Sequence, residues 1–144
     1  MSYFEIGIFH PRSDENIGTL WRSAYQLGAA GIFTIGRPYK HQTSDVVRAE
    51  YQLPLRHYQT FEEFDASRPV GAVLVGVELG GIPLATYHHP DQAVYLLGSE
   101  ANGLSSRVLA RCQAVITVEA VNKASYNVAV AGSLVMYHRL FGGK

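Results

Sequence analysis

Two polar side chains near the start of the chain are separated by a helical spacing. Asn16 stands at the start of an apolar helical pattern and Arg22 follows six residues later, which places the arginine within about two turns of the helix start. The plainer interpretation is a helix N-cap at Asn16 and a solvated arginine. Gly18 lies between them and weakens a helix, which favours close approach of a ligand or of another backbone.

A second group follows an apolar run at 93–97 and contains one carboxylate between glycines. Its residues are Gly98, Ser99 and Glu100, followed by Gly103 and Leu104. The two glycines are too far apart for the nucleotide-binding pattern G-x-G-x-x-G. Taken alone, the group is compatible with an ordinary turn between a strand and a helix.

A third group lies in front of the apolar segment 128–141. Ser125 is a suitable cap for a helix over that segment, with Asn127 in its first turn. The preceding loop, 119–123, could turn its backbone amides toward a ligand.

The three groups are separated by alternating strand and helix patterns. The predicted strands are 3–10, 31–35, 70–77, 93–97 and 115–118, and the predicted helices are 17–27, 60–66, 105–110 and 128–141. Residues 37–57 are predicted to be a long irregular excursion. Strands that are apolar on both faces and alternate with helices indicate an α/β fold with a mostly parallel sheet flanked by helices. The turns at 76–81, 98–103 and 120–127 should then meet beyond the carboxyl ends of the strands.

The last predicted helix has almost no polar face. A surface helix of a small domain should alternate apolar and polar residues at helical spacing, whereas 128–136 is VAVAGSLVM. Such a helix must be covered on most sides. The pattern therefore predicts burial partly by the chain's own sheet and partly by a second copy in a homodimer, with Val135 as an interface position.

Composition limits the number of domains and the kinds of ligand and partner that the chain can have. The 144 residues, 47% apolar and 17% charged, suit one domain over 1–144. Twelve basic residues balance twelve acidic ones, so a nucleic acid would need a local basic patch. The single cysteine and the spacing of the six histidines predict no metal site. No export signal or membrane-spanning run is seen, which predicts a cytoplasmic protein with no membrane partner.

In order and spacing, the three polar groups resemble the motifs of the SpoU-type (TrmH-like) branch of the SPOUT RNA methyltransferases. The matching residues are Asn16, Gly18 and Arg22 in N-x-G-x-x-R, then Gly98, Glu100, Gly103 and Leu104 in G-x-E-x-x-G-L, then Ser125 and Asn127 in S-x-N. Two positions depart from the family pattern. Tyr126 replaces the usual leucine or methionine, and Glu119 replaces a usual proline.

The resemblance implies a C-terminal deep trefoil knot that binds S-adenosylmethionine, and transfer of its methyl group to a ribose 2′-hydroxyl of RNA. The implied catalytic residues are Arg22, Asn16, Ser125, Glu100 and Asn127. Arg22 would be a base or a holder of phosphate and oxyanion, Asn16 and Ser125 would orient it and the ribose, and Glu100 would brace the loops. The implied donor contacts are Gly76, Val77, Leu97, Gly98, Gly103, Val118, Ala120 and Val128.

The chain also resembles the minimal TrmL-like subgroup, because it begins a few residues before its first strand. That subgroup methylates the wobble position of tRNA as a homodimer, so tRNA is the expected RNA partner. The candidate RNA contacts are Arg12, Arg37, Lys40, Arg48 and Arg56. Ribosomal RNA or another tRNA position is the alternative substrate.

Two other classes of protein remain open at this point. A flavodoxin-like module has the same alternation of elements and would bind a nucleotide without methyl transfer. A catalytically silent relative would bind RNA only, and the presence of Arg22, Glu100 and Asn127 argues against it.

Overall fold

One parallel sheet forms the centre of the protein, whose computed structural model describes residues 2–40, 52–99 and 102–142. Over these residues the sheet has six strands in the order β3-β2-β1-β5-β4-β6. The strands are β1 (Tyr3–Phe9), β2 (Gly31–Ile35), β3 (Leu55–Tyr58), β4 (Val73–Pro83), β5 (Gln92–Gly98) and β6 (Ala114–Thr117). The helices are α1 (Asp14–Gln26), α2 (Phe61–Ser67), α3 (Ser106–Arg111) and α4 (Val128–Phe141). The predicted α/β sheet flanked by helices is confirmed, and the knot stays a prediction.

Helices cover both faces of the sheet, which is why its central strands are apolar on both sides. On one face, α1 and α4 pack against β1 and β5, and the buried side chains there include Leu20 of α1, Ile6 of β1 and Tyr95 of β5. On the other face, α2 and α3 pack over Phe33 and Leu96. Burial on both faces excludes water from the sheet and leaves its edges and loop ends for ligands.

The capping residues of two helices differ from the prediction. Ser13 caps α1 by accepting a hydrogen bond from the Asn16 backbone N–H (3.1 Å), so Asn16 lies in the first turn and is not the cap. Asn127 caps α4 by accepting from Ala129 N and Val130 N (2.9 and 3.2 Å), and Ser125 lies outside the helix. In both cases the chain offers two residues with good capping chemistry within three positions.

Two strands also differ from the prediction. The irregular excursion 37–57 contains the start of β3, whose residues become a strand by pairing with β2. β4 continues through the predicted turn at 79–81 to Pro83, with a register shift between Val77 and Ile82 where it pairs with β6. Gly81 permits this because a Cβ there would lie 2.6 Å from the Val115 carbonyl carbon.

The helix α4 is buried on one side and apolar on the other. Val135 and Met136 have no exposed surface, so the prediction of Val135 as an interface position is wrong: this side chain belongs to the core. Four other apolar side chains of α4 are exposed, and we call them the α4 stripe: Val130 (46%), Leu134 (39%), Tyr137 (58%) and Phe141 (62%). Their spacing of four, three and four residues places them on one face of the helix.

Candidate active site

A cavity of about 800 Å³ lies where β4, β5 and β6 end and α4 begins. Its walls come from the middle of β4, the loop after β5, the loop between β6 and α4, and the first turn of α4. This is the end of a parallel sheet at which α/β proteins bind ligands, and the volume lies in the range of small-molecule sites. The predicted meeting of the three turns is therefore seen.

Seven of the eight predicted donor contacts line this cavity. They are Val77, Leu97, Gly98, Gly103, Val118, Ala120 and Val128. Gly76 lies one residue further into β4 and faces the core, where an added Cβ would be 2.9 Å from the Cys112 sulfur. Burial raises the pKa of the Cys112 thiol to about 11, so this cysteine stays a protonated packing residue at neutral pH.

The loop after β5 turns back on itself at the cavity wall. Gly103 N donates to Ser99 O (2.8 Å) and has a positive φ of 60°, a conformation that favours glycine. A Cβ at Gly98 would lie 2.7 Å from Gly103 Cα, so the two ends of the loop touch backbone to backbone. Glu100 lies outside the described residues, and its predicted bracing role stays a prediction.

The starts of α1 and α4 are joined by a side-chain hydrogen bond. Asn127 Nδ2 donates to Asn16 Oδ1 (2.9 Å) across 111 residues of sequence. Asn127 also caps α4, so one amide both begins that helix and contacts the first motif. Ser125 is exposed and lines the cavity two residues earlier. Three of the predicted catalytic residues therefore lie together beside the cavity.

Arg22 is the predicted catalytic residue that the structure does not bring to the cavity wall. It is exposed on α1, two turns beyond Asn16, and is absent from the described residues that line the cavity. Its head group is accordingly open to a molecule that approaches α1 from outside.

The two departures from the family pattern contact each other. Tyr126 lines the cavity, and its hydroxyl donates to the Glu119 carbonyl (2.6 Å), closing the loop between β6 and α4. The Glu119 carboxylate accepts from Ala85 N (3.2 Å) in the short helical turn after β4. Tyr126 and Glu119 thus hold the loop that forms one wall of the cavity.

The candidate RNA contacts separate into two places. Arg12, Arg37 and Lys40 lie together around Asp14 at the start of α1: Arg37 donates to the Arg12 carbonyl and lies 3.6 Å from the Asp14 carboxylate, which also accepts from Lys40 N (3.3 Å). We call these three residues the α1 basic cluster. Arg56 is elsewhere, 3.4 Å from the buried Glu5 carboxylate, in a hollow beside α2. Arg48 lies outside the described residues.

One carboxylate at the cavity was missed by the sequence analysis. Glu78 lies at the carboxyl-terminal half of β4 and lines the cavity beside Val77. The usable signal was an acidic residue directly after the apolar run 70–77, at the end of the sheet where ligands bind. In the described part of the chain, no group of three or more His, Cys, Asp or Glu could hold a metal ion. None of the helices described there is long and apolar enough to cross a membrane.

Comparison with known proteins finds one family and several relatives. The sequence model of the SpoU rRNA Methylase family matches residues 3–137. The chain is 28% identical over 139 residues to a 23S rRNA (uridine(2479)-2′-O)-methyltransferase of Streptomyces viridochromogenes, a match that covers 88% of this chain and 48% of that protein. It is 27% identical over 135 residues to a mouse tRNA (guanosine(18)-2′-O)-methyltransferase, with 85% of this chain and 8% of that protein covered.

The fold is also shared with a solved structure. The SpoU methyltransferase AviRb from Streptomyces viridochromogenes, in complex with the cofactor AdoMet, superposes with a TM-score of 0.81 and 26% identity, covering 99% of this chain and 60% of that one. The chain therefore spans about half the length of the first curated relative and a small part of the second.

Proposed function

Because the chain belongs to the SpoU rRNA Methylase family, we propose that it transfers the methyl group of S-adenosylmethionine to a ribose 2′-hydroxyl of RNA. The observation that carries this proposal is the hydrogen bond between Asn127 and Asn16 beside the cavity. It joins the first and third motifs, which a nucleotide-binding module has no need to bring together. Membership in this family excludes the flavodoxin-like alternative.

The cavity has the chemistry that S-adenosylmethionine requires. Apolar walls at Val77, Leu97 and Val128 suit an adenine ring, and the backbone of the glycine loop after β5 suits the polar edges of the ligand. Lys123 and Ser125 at the rim offer partners for a carboxylate. When bound, the donor supplies an already activated methyl group, so the protein has to align the 2′-hydroxyl and remove one proton.

The alignment is the task that we assign to Arg22 and the two asparagines. Arginine stays protonated at neutral pH, so it acts as a base only where an anion such as the substrate phosphate relieves it of a proton. In its other role Arg22 holds that phosphate and the developing oxyanion while the 2′-hydroxyl proton passes to water, and the exposure of Arg22 makes it accessible to RNA. The hydrogen bond between Asn16 and Asn127 fixes the start of α1, and Arg22 lies further along the same helix.

We further propose tRNA as the substrate, with its wobble ribose as the target. The α1 basic cluster supports an RNA partner because it lies at the start of the same helix as Asn16 and Arg22. Phosphate contacts of this kind position an RNA without reading its sequence. Of the relatives named above, one is an rRNA methyltransferase and one is a tRNA methyltransferase. The experiment described below therefore offers both kinds of RNA as substrate.

A homodimer completes the proposal. The α4 stripe is an apolar surface on a helix whose other side is already core. Apolar residues exposed along one helix face are typical of a surface that a partner covers. A second copy of this chain is the partner that the proposal requires.

The test is incubation of the purified protein with methyl-labelled S-adenosylmethionine and either bulk tRNA or ribosomal RNA, followed by digestion to nucleosides. The expected product is a 2′-O-methylated nucleoside from tRNA. Methylation of ribosomal RNA alone would exclude tRNA as the substrate, and methylation of a base would exclude the reaction. RNA binding without any transfer would favour the catalytically silent alternative.

A further inference from the structure

The carboxylate of Glu78 connects the middle of β4 to the loop after β5. Its Oε1 accepts a hydrogen bond from Leu104 N (3.0 Å), and its Oε2 accepts one from Leu79 N (3.1 Å). The Leu104 side chain is buried in the core beneath the loop. An acceptor oxygen at the end of a long side chain therefore fixes the backbone at the point where the cavity wall meets the core.

The glycine beside Leu104 leaves room for this carboxylate. A Cβ at Gly103 would overlap Glu78 Oε1 and lie 3.0 Å from its carboxyl carbon. Gly103 thus combines two requirements, the positive φ of 60° and the space that Glu78 occupies. The last turn of the loop and the carboxylate are packed as one unit.

The backbone of Glu78 is held from the other side by β6. The Thr117 hydroxyl donates to the Glu78 carbonyl (2.6 Å) and accepts from Gly81 N (2.7 Å). Residue 78, in β4, therefore contacts the end of β6 through its backbone carbonyl and the loop after β5 through its side chain. Those are three of the segments that form the cavity.

We propose that Glu78 is a positioning residue for the methyl donor, which holds the loop after β5 in its binding shape through the hydrogen bond to Leu104 N. The inference rests on the proposed function, since the donor is S-adenosylmethionine. Glu78 acts through the loop, and its role depends on the reach of its side chain and on an acceptor oxygen. It does not depend on the negative charge as such.

Two variants separate reach from charge. Glu78→Gln keeps the length of the side chain and one acceptor oxygen but removes the charge. Glu78→Asp keeps the charge but is shorter by roughly 1.5 Å, which breaks a bond of 3.0 Å to Leu104 N. Glu78→Ala removes both. The matched controls are Glu62→Gln and Glu62→Asp, because Glu62 is an exposed carboxylate on α2 that pairs with Arg107.

The first measurement is the rate of amide hydrogen exchange at Leu104. NMR monitors this exchange in the protein without S-adenosylmethionine. We expect exchange to accelerate about tenfold or more in Glu78→Asp and Glu78→Ala, and to stay within about threefold of wild type in Glu78→Gln. Wild-type exchange in Glu78→Ala would overturn the proposal. The proposal would also be overturned if Leu104 exchanged at the wild-type rate in Glu78→Asp and faster in Glu78→Gln. The charge of Glu78 would then be the property that holds the loop.

The second measurement is steady-state methyl transfer at varied donor concentration. We expect KM for S-adenosylmethionine to rise about tenfold in the Asp and Ala variants with kcat within about twofold, and both constants to be near wild type in Glu78→Gln. A fall in kcat with unchanged KM would overturn the positioning role. If Glu78→Ala does not fold, the Gln and Asp variants decide alone. If the wild type binds no donor, the proposed function fails while the exchange data still test the contact.

Discussion

The guanidinium of Arg22 is exposed on α1, outside the cavity formed by the described residues of its own chain. Arg22→Ala should therefore leave the affinity for S-adenosylmethionine within about twofold of wild type while methyl transfer falls to less than about a tenth. A loss of that size corresponds to roughly 1.4 kcal/mol of transition-state stabilisation. Calorimetry with the donor and a labelled-methyl assay measure the two effects separately.

A second exposed arginine provides the control for Arg22. Arg107 on α3 is 70% exposed and pairs with Glu62 on α2. Both helices lie on the face of the sheet opposite to α1. Arg107→Ala should transfer methyl groups at the wild-type rate. Retention of more than about a tenth of the activity in Arg22→Ala would remove Arg22 from the catalytic set.

At the residue scale, the chemical types of the site could be predicted, but not which of them bond to one another. Ser125 and Asn127 both have the chemistry of a helix cap, and local sequence does not choose between them. The choice is linked to a hydrogen bond with Asn16, 111 residues away. The place of Glu78 directly after the apolar run 70–77 could have been used, but its contact could not, because its partner Leu104 is distant in sequence.

At the scale of elements, patterns within a segment predicted more than patterns that depend on a neighbour. β2 and α4 have the predicted bounds, and α2 is displaced by one residue from its predicted bounds. β3 was missed because Leu55–Tyr58 is too short and too polar to have a strand period of its own, and its strand geometry comes from pairing with β2. Helix periodicity likewise predicted that α4 is buried but not which face belongs to the core.

The α4 stripe leads to a prediction for that helix. Leu134→Asp places a charge in the centre of an exposed apolar face without touching the core, so the monomer should stay folded while self-association is lost. We expect the mass measured by light scattering to fall from that of a dimer to that of a monomer. Methyl transfer should fall by about tenfold or more in the same variant.

Another exposed apolar residue provides the control for the α4 stripe. Val70 is fully exposed in the turn before β4, and Val70→Asp should change neither mass nor activity. Val135→Asp is unsuitable as a test because it buries a charge in the core and should unfold the protein. A fully active monomer of Leu134→Asp would show that the stripe has another purpose.

At the scale of the whole molecule, a hydrogen-bonded network ties α4 to the loop before β5, at the far end of the sheet from the cavity. Arg139 donates to the Tyr95 hydroxyl (3.0 Å), which lies 2.6 Å from His89 Nδ1, and His89 Nε2 lies 2.8 Å from His138 Nδ1. Arginine can only donate, so the three links of this chain are all satisfied when Tyr95 donates to a neutral His89 and His89 donates to His138. The network requires His89 without a positive charge.

This network predicts that the protein loses stability in mild acid. Burial, together with the charges of His138 and Arg139, lowers the pKa of His89 to about 4 from 6.5. Between these values the unfolded chain binds more protons at this site than the folded one, so the free energy of unfolding should decrease as pH falls from about 6.5 to 4 and level off below. Urea titrations at a series of pH values measure this slope.

Two histidine variants test the origin of the slope. His89→Phe should be less stable at pH 8, because the Tyr95 hydroxyl loses its acceptor, but its stability should depend less steeply on pH. His88→Phe, at the exposed neighbouring residue, should keep the wild-type slope. An unchanged slope in His89→Phe would mean that the acid sensitivity arises from other groups.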